Sequence, residues 1–269
     1  MKHIVIPDIQ AKYVSEYGKR DKLVPMKHLM AAGQLIVDEK PDVVIVMGDV
    51  FDMPSLSSYD KGKKGFEGRR YKKDIEAGKI AISTLLAALR IHNRNMADLH
   101  RARYYPRLVF LLGNHEDRIT RAIDSDAFLD GTISLDDLGL QEAGFEVHPF
   151  LDVVSIDGVN YSHFFPSTLS PHPIGRAHLI MNKRYQSCTC GHIQILDYFV
   201  SNTLVNKRRL HCLIAGSFYM HKEEYRKGQS NENWAGLIIK ENVVNGEYSP
   251  TFLSITDLLA RYPKHVEKK

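Results

Sequence analysis

The sequence predicts an α/β fold, and three observations carry that prediction. In the first half, near-continuous apolar runs alternate with segments of helical periodicity. In the second half, strand-like runs and turn signals take over. Acidic, amide and imidazole residues also stand directly after several apolar runs, at the sheet edge where open α/β folds bind ligands.

The elements follow in order. His3 to Pro7 reads as a strand ending at Asp8. Pro25 to Glu39 has helical periodicity, with proline in its first turn. Asp42 to Met47 is a second strand and leads into Gly48-Asp49-Val50-Phe51-Asp52. Asp74 to His100 reads as a long helix with Ile75, Ile80, Leu85, Leu86 and Leu89 on one stripe. Arg107 to Leu112 is a third strand and leads into Gly113-Asn114-His115-Glu116. Strands this apolar belong to a sheet covered on both faces. Val153 to Ile156 and Val159 to His163 flank the turn signal Asp157-Gly158. Cys188-Thr189-Cys190 reads as a strand before Gly191-His192-Ile193-Gln194. Leu210 to Ala215 and Trp234 to Ile239 are further strands, Asn245-Gly246 is a turn, and Phe252 to Tyr262 closes with a short helix. A second, mixed sheet is therefore expected.

The 269 residues fit one domain, and 43% hydrophobic content supplies a substantial core. No apolar run reaches membrane-spanning length, which excludes a transmembrane helix. Met1-Lys2 leads straight into a strand without a signal-peptide pattern, so a cytoplasmic location is expected. Three cysteines, Cys188, Cys190 and Cys212, argue against a disulfide framework and read as packed thiols.

The net charge of +4 is mild, but its distribution is not. Met53 to Ile75 holds Lys61, Lys63, Lys64, Arg69, Arg70, Lys72 and Lys73 against Asp60, Glu67 and Asp74, a local excess as large as that of the whole chain. Tyr59, Phe66 and Tyr71 are interleaved with glycines in this insertion. Lysine and arginine contact phosphates, and aromatic rings stack on single-stranded bases. The bland reading of such a run is a solvated loop. Its start directly after Asp52 favours phosphate or nucleic-acid contact instead.

The motifs GDVFD, GNHE and GHIQ, in this order after strands, resemble the calcineurin-like metallophosphoesterase superfamily, whose pattern is D-x-H, GD-x-x-D, GNH[D/E], a lone His and GH-x-H. The resemblance spans residues 4 to 194. It implies a four-layer α/β/β/α sandwich of two mixed sheets flanked by helices. It also implies two divalent ions, one held by Asp8, Gln10, Asp49 and Gln194, the other by Asp49, Asn114, His163 and His192. Glutamine stands at 10 and 194 where the family has histidine. An all-oxygen set favours Mn²⁺ or Mg²⁺ over Zn²⁺ or iron, with Mn²⁺ first; the alternative is a first site that is weak or empty.

By the same resemblance His115 serves the leaving group, with Asp52 or Glu116 holding its ring. Met53 stands where the family often has arginine, so Arg69, Arg70 and Arg118, with Lys72 and Lys73, are the substrate-binding candidates. Phe164 to Cys190 is expected to cover the site. The Asp8-Ile9-Gln10 opening and the basic insertion also look like a metallophosphoesterase group of bacteriophages, which implies the host cytoplasm. Three functions stay open: a phosphodiesterase acting on nucleic acid, DNA above all; a phosphatase of nucleotides or phosphoproteins; and a non-catalytic phosphate-binding module. A homodimer is an open expectation.

Overall fold

The computed structural model describes residues 1–14, 21–58, 62, 66–167, 170–202, 208–221 and 233–265. Tyr59, Asp60, Lys61, Lys63 and Lys64 of the basic insertion lie outside them. The first half contains β1 (His3–Ile6), β2 (Tyr13–Val14), β3 (Lys22–Leu23), α1 (Lys27–Glu39), β4 (Val43–Val46), α2 (Tyr71–Asp98), β5 (Arg107–Leu111) and α3 (Arg118–Ser125). There follow β6 (Glu146–His148), β7 (Val154–Ile156), β8 (Val159–Tyr161), β9 (Pro166–Ser167), β10 (Ser170–Pro173), α4 (Ala177–Arg184) and β11 (Cys188–Cys190). The chain ends with β12 (Leu196–Asn202), β13 (Arg209–Ala215), β14 (Gly236–Val244), β15 (Glu247–Ser254) and α5 (Ile255–Arg261).

Two mixed sheets result. One runs in the order β15-β14-β1-β4-β5-β6 and is parallel from β1 to β6. The other runs β12-β13-β11-β8-β7 and is parallel only at β13-β11-β8. Strand periodicity sorts the side chains into layers. Ile4, Ile6, Val44, Val46 and Phe110 face α1, α2 and α5, where Leu29, Leu35, Leu85 and Leu258 meet them. Val5, Ile45, Met47, Val109 and Leu111 face the second sheet and pack on Val159, Tyr161, Leu213 and Ala215. Cys188, Cys190, Cys212 and Ile214 point outward to Ile180 and Met181 of α4. The fold is thus helices, sheet, sheet, helix: an α/β/β/α sandwich.

Both turn signals hold, since Asp157, Gly158, Asn245 and Gly246 all have positive φ, as tight hairpins require. The two turns also meet, with the Gly246 N–H donating to the Asp157 carbonyl at 2.8 Å. Two expectations need correction. The last helix begins at Ile255, because Phe252 to Ser254 stay paired with β14 through the register Gly236↔Ser254. The long helix starts three residues early, at Tyr71. Within the segment 164–190, expected as a cover, α4 packs on the second sheet as its outer layer and Phe164 lies against His192. No helix among the described residues is long and apolar enough to cross a membrane.

Between the sheets lies a buried polar chain. His3 Nδ1 and Nε2 are each 2.8 Å from a partner, the Tyr161 hydroxyl and Asp157 Oδ2. The fully buried Lys240 amine donates to Tyr161 at 3.2 Å and to Thr189. Burial pushes its pKa well below the usual lysine range. The sign follows: the folded state binds fewer protons than the unfolded one, so this lysine makes stability rise with pH up to about 10. Lys240→Met should therefore stabilise the protein at pH 7 and lose that advantage toward pH 9. Chemical denaturation at both values checks this, and a gain that does not shrink with pH would be the contrary result.

Candidate metal centre

The carboxyl ends of β1, β4 and β5 and the loops after β8 and β11 converge on one edge. Gly48 is needed at φ 88°, because a Cβ there would sit 2.5 Å from the Gly113 nitrogen. A Cβ on Gly113 would come within 2.2 Å of Asp49 Oδ1. The glycines of GDVFD and GNHE therefore let the two loops touch. Glu116 locks them together. Its Oε1 accepts the Val50 and Phe51 N–H groups at 2.8 and 2.9 Å, and its Oε2 accepts those of Asp49 and Gly113 at 2.9 and 2.8 Å. Fully buried, Glu116 frames the loops; Asp52, not Glu116, lies against the His115 ring, which corrects the ring-holding role expected as an alternative for Glu116.

Asp49 is the hub. Its Oδ1 accepts the His115 N–H at 2.9 Å, and its Oδ2 lies 3.4 Å from His163 Nε2 and 3.8 Å from His115 Nε2. His163 Nδ1 donates to the Met47 carbonyl at 2.6 Å, which fixes the tautomer and turns Nε2 inward, 3.0 Å from Asn114 Oδ1. The His192 ring stands edge-on to His163 at 5.2 Å. One donor atom each from Asp49, His163 and His192 lies within 4.8 Å of the others, a spacing that fits a single ion. Burial alone would push Asp49 up, but the surrounding imidazoles of His115 and His163 hold it well below the usual carboxylate range. His163 opposes its own burial through the Asp49 charge and rises to about 9.

Asp8 and Gln10 are buried beside this hub. Asp8 Oδ1 accepts the His192 N–H at 3.0 Å, while the Gln10 N–H donates to the Asp49 carbonyl at 2.8 Å. Asp8 Oδ2 and Gln10 Oε1 are buried oxygens with no hydrogen-bond partner. Burial, then the Asp49 charge, raises Asp8 to about 7. Two orphaned oxygens are costly unless something positive meets them. Gln194 differs: its amide oxygen accepts the Tyr219 hydroxyl at 2.8 Å. The metal role expected of Gln194 would therefore need an oxygen shared with a hydroxyl. Gln10, Asp49, Met53, His192 and Gln194 all adopt left-handed φ, between 48° and 65°. Each such residue costs about 1–3 kcal/mol, and strain of this kind collects at functional sites.

His115 Nδ1 lies 2.8 Å from Asp52 Oδ1, and Lys12 Nζ is 3.0 Å from Asp52 Oδ2. Asp52 resists its burial through these two partners and stays well below the usual range. His115 is raised: burial lowers it, but the Asp49 charge and the Asp52 bond more than offset that. Arg118 Nη1 donates to the Asp52 and Met53 carbonyls at 2.7 and 3.2 Å, and its Nη2 is 3.4 Å from His115 Nε2. Arg69 donates to the Pro54 carbonyl at 3.0 Å and stacks on Phe66. Arg70 and Lys72 are exposed at the start of α2. Lys73 is engaged by Asp21, which corrects its expected role as a cation open to substrate. Lys12, Arg121 and Tyr219 escaped the sequence reading because none belongs to a motif. Arg121, one turn after GNHE, was the most legible of the three, with Nη2 2.6 Å from the Asn114 carbonyl.

No protein-family model matches the chain, and no curated protein does. Among solved structures the chain is similar to wild-type Vps29 complexed with zinc from Entamoeba histolytica, at 11% identity and TM-score 0.36, over 95% of this chain and 99% of that one. It is also similar to YfcE, a phosphoesterase from E. coli, at 12% identity and TM-score 0.36, over 95% of this chain and all of that one, 100%. These overlaps are too loose to carry an argument, so the site rests on its own geometry.

Glu116→Gln places an amide N–H against backbone donors. It should cost about 3 kcal/mol or more and weaken metal uptake. Thermal denaturation with metal analysis of the folded fraction checks this; an unchanged protein would remove Glu116 from the framework.

Proposed function

We propose that the protein is a divalent-metal-dependent phosphoesterase that hydrolyses phosphodiester bonds, a nuclease with DNA as its favoured substrate. The observation that carries the reading is the convergence of Asp49, His163 and His192 on one point with the oriented His115 beside it. The donor set fits metals. Asp49, Asn114, His163 and His192 would hold one ion, and Asp8, Gln10 and Asp49 the other, with Gln194 only if its oxygen serves both the ion and Tyr219. The second set is all oxygen, for which Mn²⁺ is favoured. Ions bound at such a site offset phosphate charge and bring the pKa of water toward about 7.

The remaining work falls to the chain. His115, whose pKa the Asp49 charge and the Asp52 bond raise against its burial, delivers a proton from Nε2 to the departing oxygen. Asp52 holds the ring through Nδ1, and Lys12 holds Asp52. Arg118 braces the same loop and keeps a guanidinium beside the leaving-group position. Arg70 and Lys72 offer exposed cations to a chain with several phosphates. The binding-module reading has no use for an imidazole held in this way.

Mn²⁺-loaded protein should hydrolyse bis(4-nitrophenyl) phosphate faster than 4-nitrophenyl phosphate, and Asp49→Ala should abolish the reaction. Monoester activity alone would favour the phosphatase, and silence from both the binding module. His115→Ala should lower kcat about 10²–10⁴-fold for an alkoxide leaving group and far less for 4-nitrophenolate, which needs no proton. Equal losses would contradict the leaving-group role. Joint replacement of Gln10→His and Gln194→His should move the all-oxygen site toward Zn²⁺, read from metal content after dialysis against mixed ions.

A further inference from the structure

Beside the metal loops lies a cavity of about 460 Å³ that none of these roles uses. That volume suits a small organic group, within the range of about 300–1,000 Å³. Leu112, Leu138 and Leu140 form a buried apolar floor, and Phe150 forms a wall. The cavity adjoins the metal centre at three points. Leu112 runs directly into Gly113-Asn114. The Phe150 ring is 5.5 Å from Phe164 and 6.0 Å from His163. Arg121 spans the gap, with Nε 3.0 Å from Asp117 at the rim and Nη2 on the Asn114 carbonyl. On the far side, Tyr71 at the start of α2 donates to Asp137 at 2.7 Å, next to the rim residue Asp136. The rim carboxylate Asp136 repels a phosphate, Asp136 and the Arg121-paired Asp117 can accept N–H groups, and the exposed Thr120 and Gln141 add neutral polar contacts. An apolar floor, an aromatic wall and an acceptor-rich rim match an uncharged planar ring with amino and imino hydrogens.

We propose that this cavity is the subsite for a nucleobase attached to the reacting phosphate, so that the enzyme takes nucleotide esters in preference to simple ones. The assignment rests on the phosphodiesterase reading. Thr120→Trp fills the rim from an exposed position. It should lower the ratio of kcat/KM for thymidine 5′-(4-nitrophenyl phosphate) over methyl 4-nitrophenyl phosphate about tenfold or more. Gln34→Trp, in the separate groove between α1 and α2, should leave that ratio unchanged. Saturation-transfer NMR with adenosine and thymidine, which carry no phosphate, should show binding to the wild type and loss in Thr120→Trp. An unchanged ratio, with nucleoside binding absent or indifferent to Thr120→Trp, would overturn the subsite. Nucleoside binding that Thr120→Trp removes, in a protein that hydrolyses neither ester, would keep the base site and reject the phosphodiesterase reading.

Discussion

The Glu116 carboxylate holds the site together. Four backbone N–H groups from two loops converge on its two oxygens, and no water reaches them. Burial and the nearby Asp49 charge both raise the pKa of this group, so the arrangement stands on those four bonds. They fix the loop after β4 against the loop after β5. With the loops so fixed, Asp49 is held in a left-handed conformation and can face three imidazoles at once. A carboxylate that reads as catalytic in the GNHE motif is a framework residue, while the orienting role belongs to Asp52.

The second requirement is that the two sheets pack face to face with their carboxyl ends side by side at this point. Asp8, Asp49 and Asn114 come from the first sheet, and His163 and His192 from the loops of the second. The bond from His163 Nδ1 to the Met47 carbonyl joins the two across 116 positions of sequence. The apolar contact of Met47 and Leu111 with Val159 and Leu213 sets the spacing between the sheets. Packing, tautomer and donor geometry are thus one constraint, and the strained residues cluster where it acts. Asp52, His115, Lys12 and Arg118 form a line of charge beside it, in which the Asp49 charge and the Asp52 bond raise the pKa of His115 against its burial.

Much of this was legible in the sequence. Apolar period and turn residues marked most strands, because a buried strand and a positive-φ hairpin each leave a local signature. But β14, expected in the second sheet, pairs with β1 in the first, and β15 carried no such mark. The motif order placed Asp8, Asp49, Asn114, His163 and His192 on one edge. Short elements were lost: α4 and β6 have too few residues for a periodic signal, and the edge strand β12 alternates weakly with Asp197, Tyr198 and Ser201. Side-chain pairing was also invisible, since no local pattern ties Lys12 to Asp52, Tyr219 to Gln194 or Lys73 to Asp21. The division of labour between Asp52 and Glu116 is decided by burial, which a motif does not encode.

The most direct test of the central claim is an anomalous-scattering map from a crystal of the Mn²⁺-treated protein. The account predicts a peak bounded by Asp49, Asn114, His163 and His192, and a second against Asp8, Gln10 and Asp49. A map without a peak at Asp49, or with manganese only elsewhere on the surface, would contradict it.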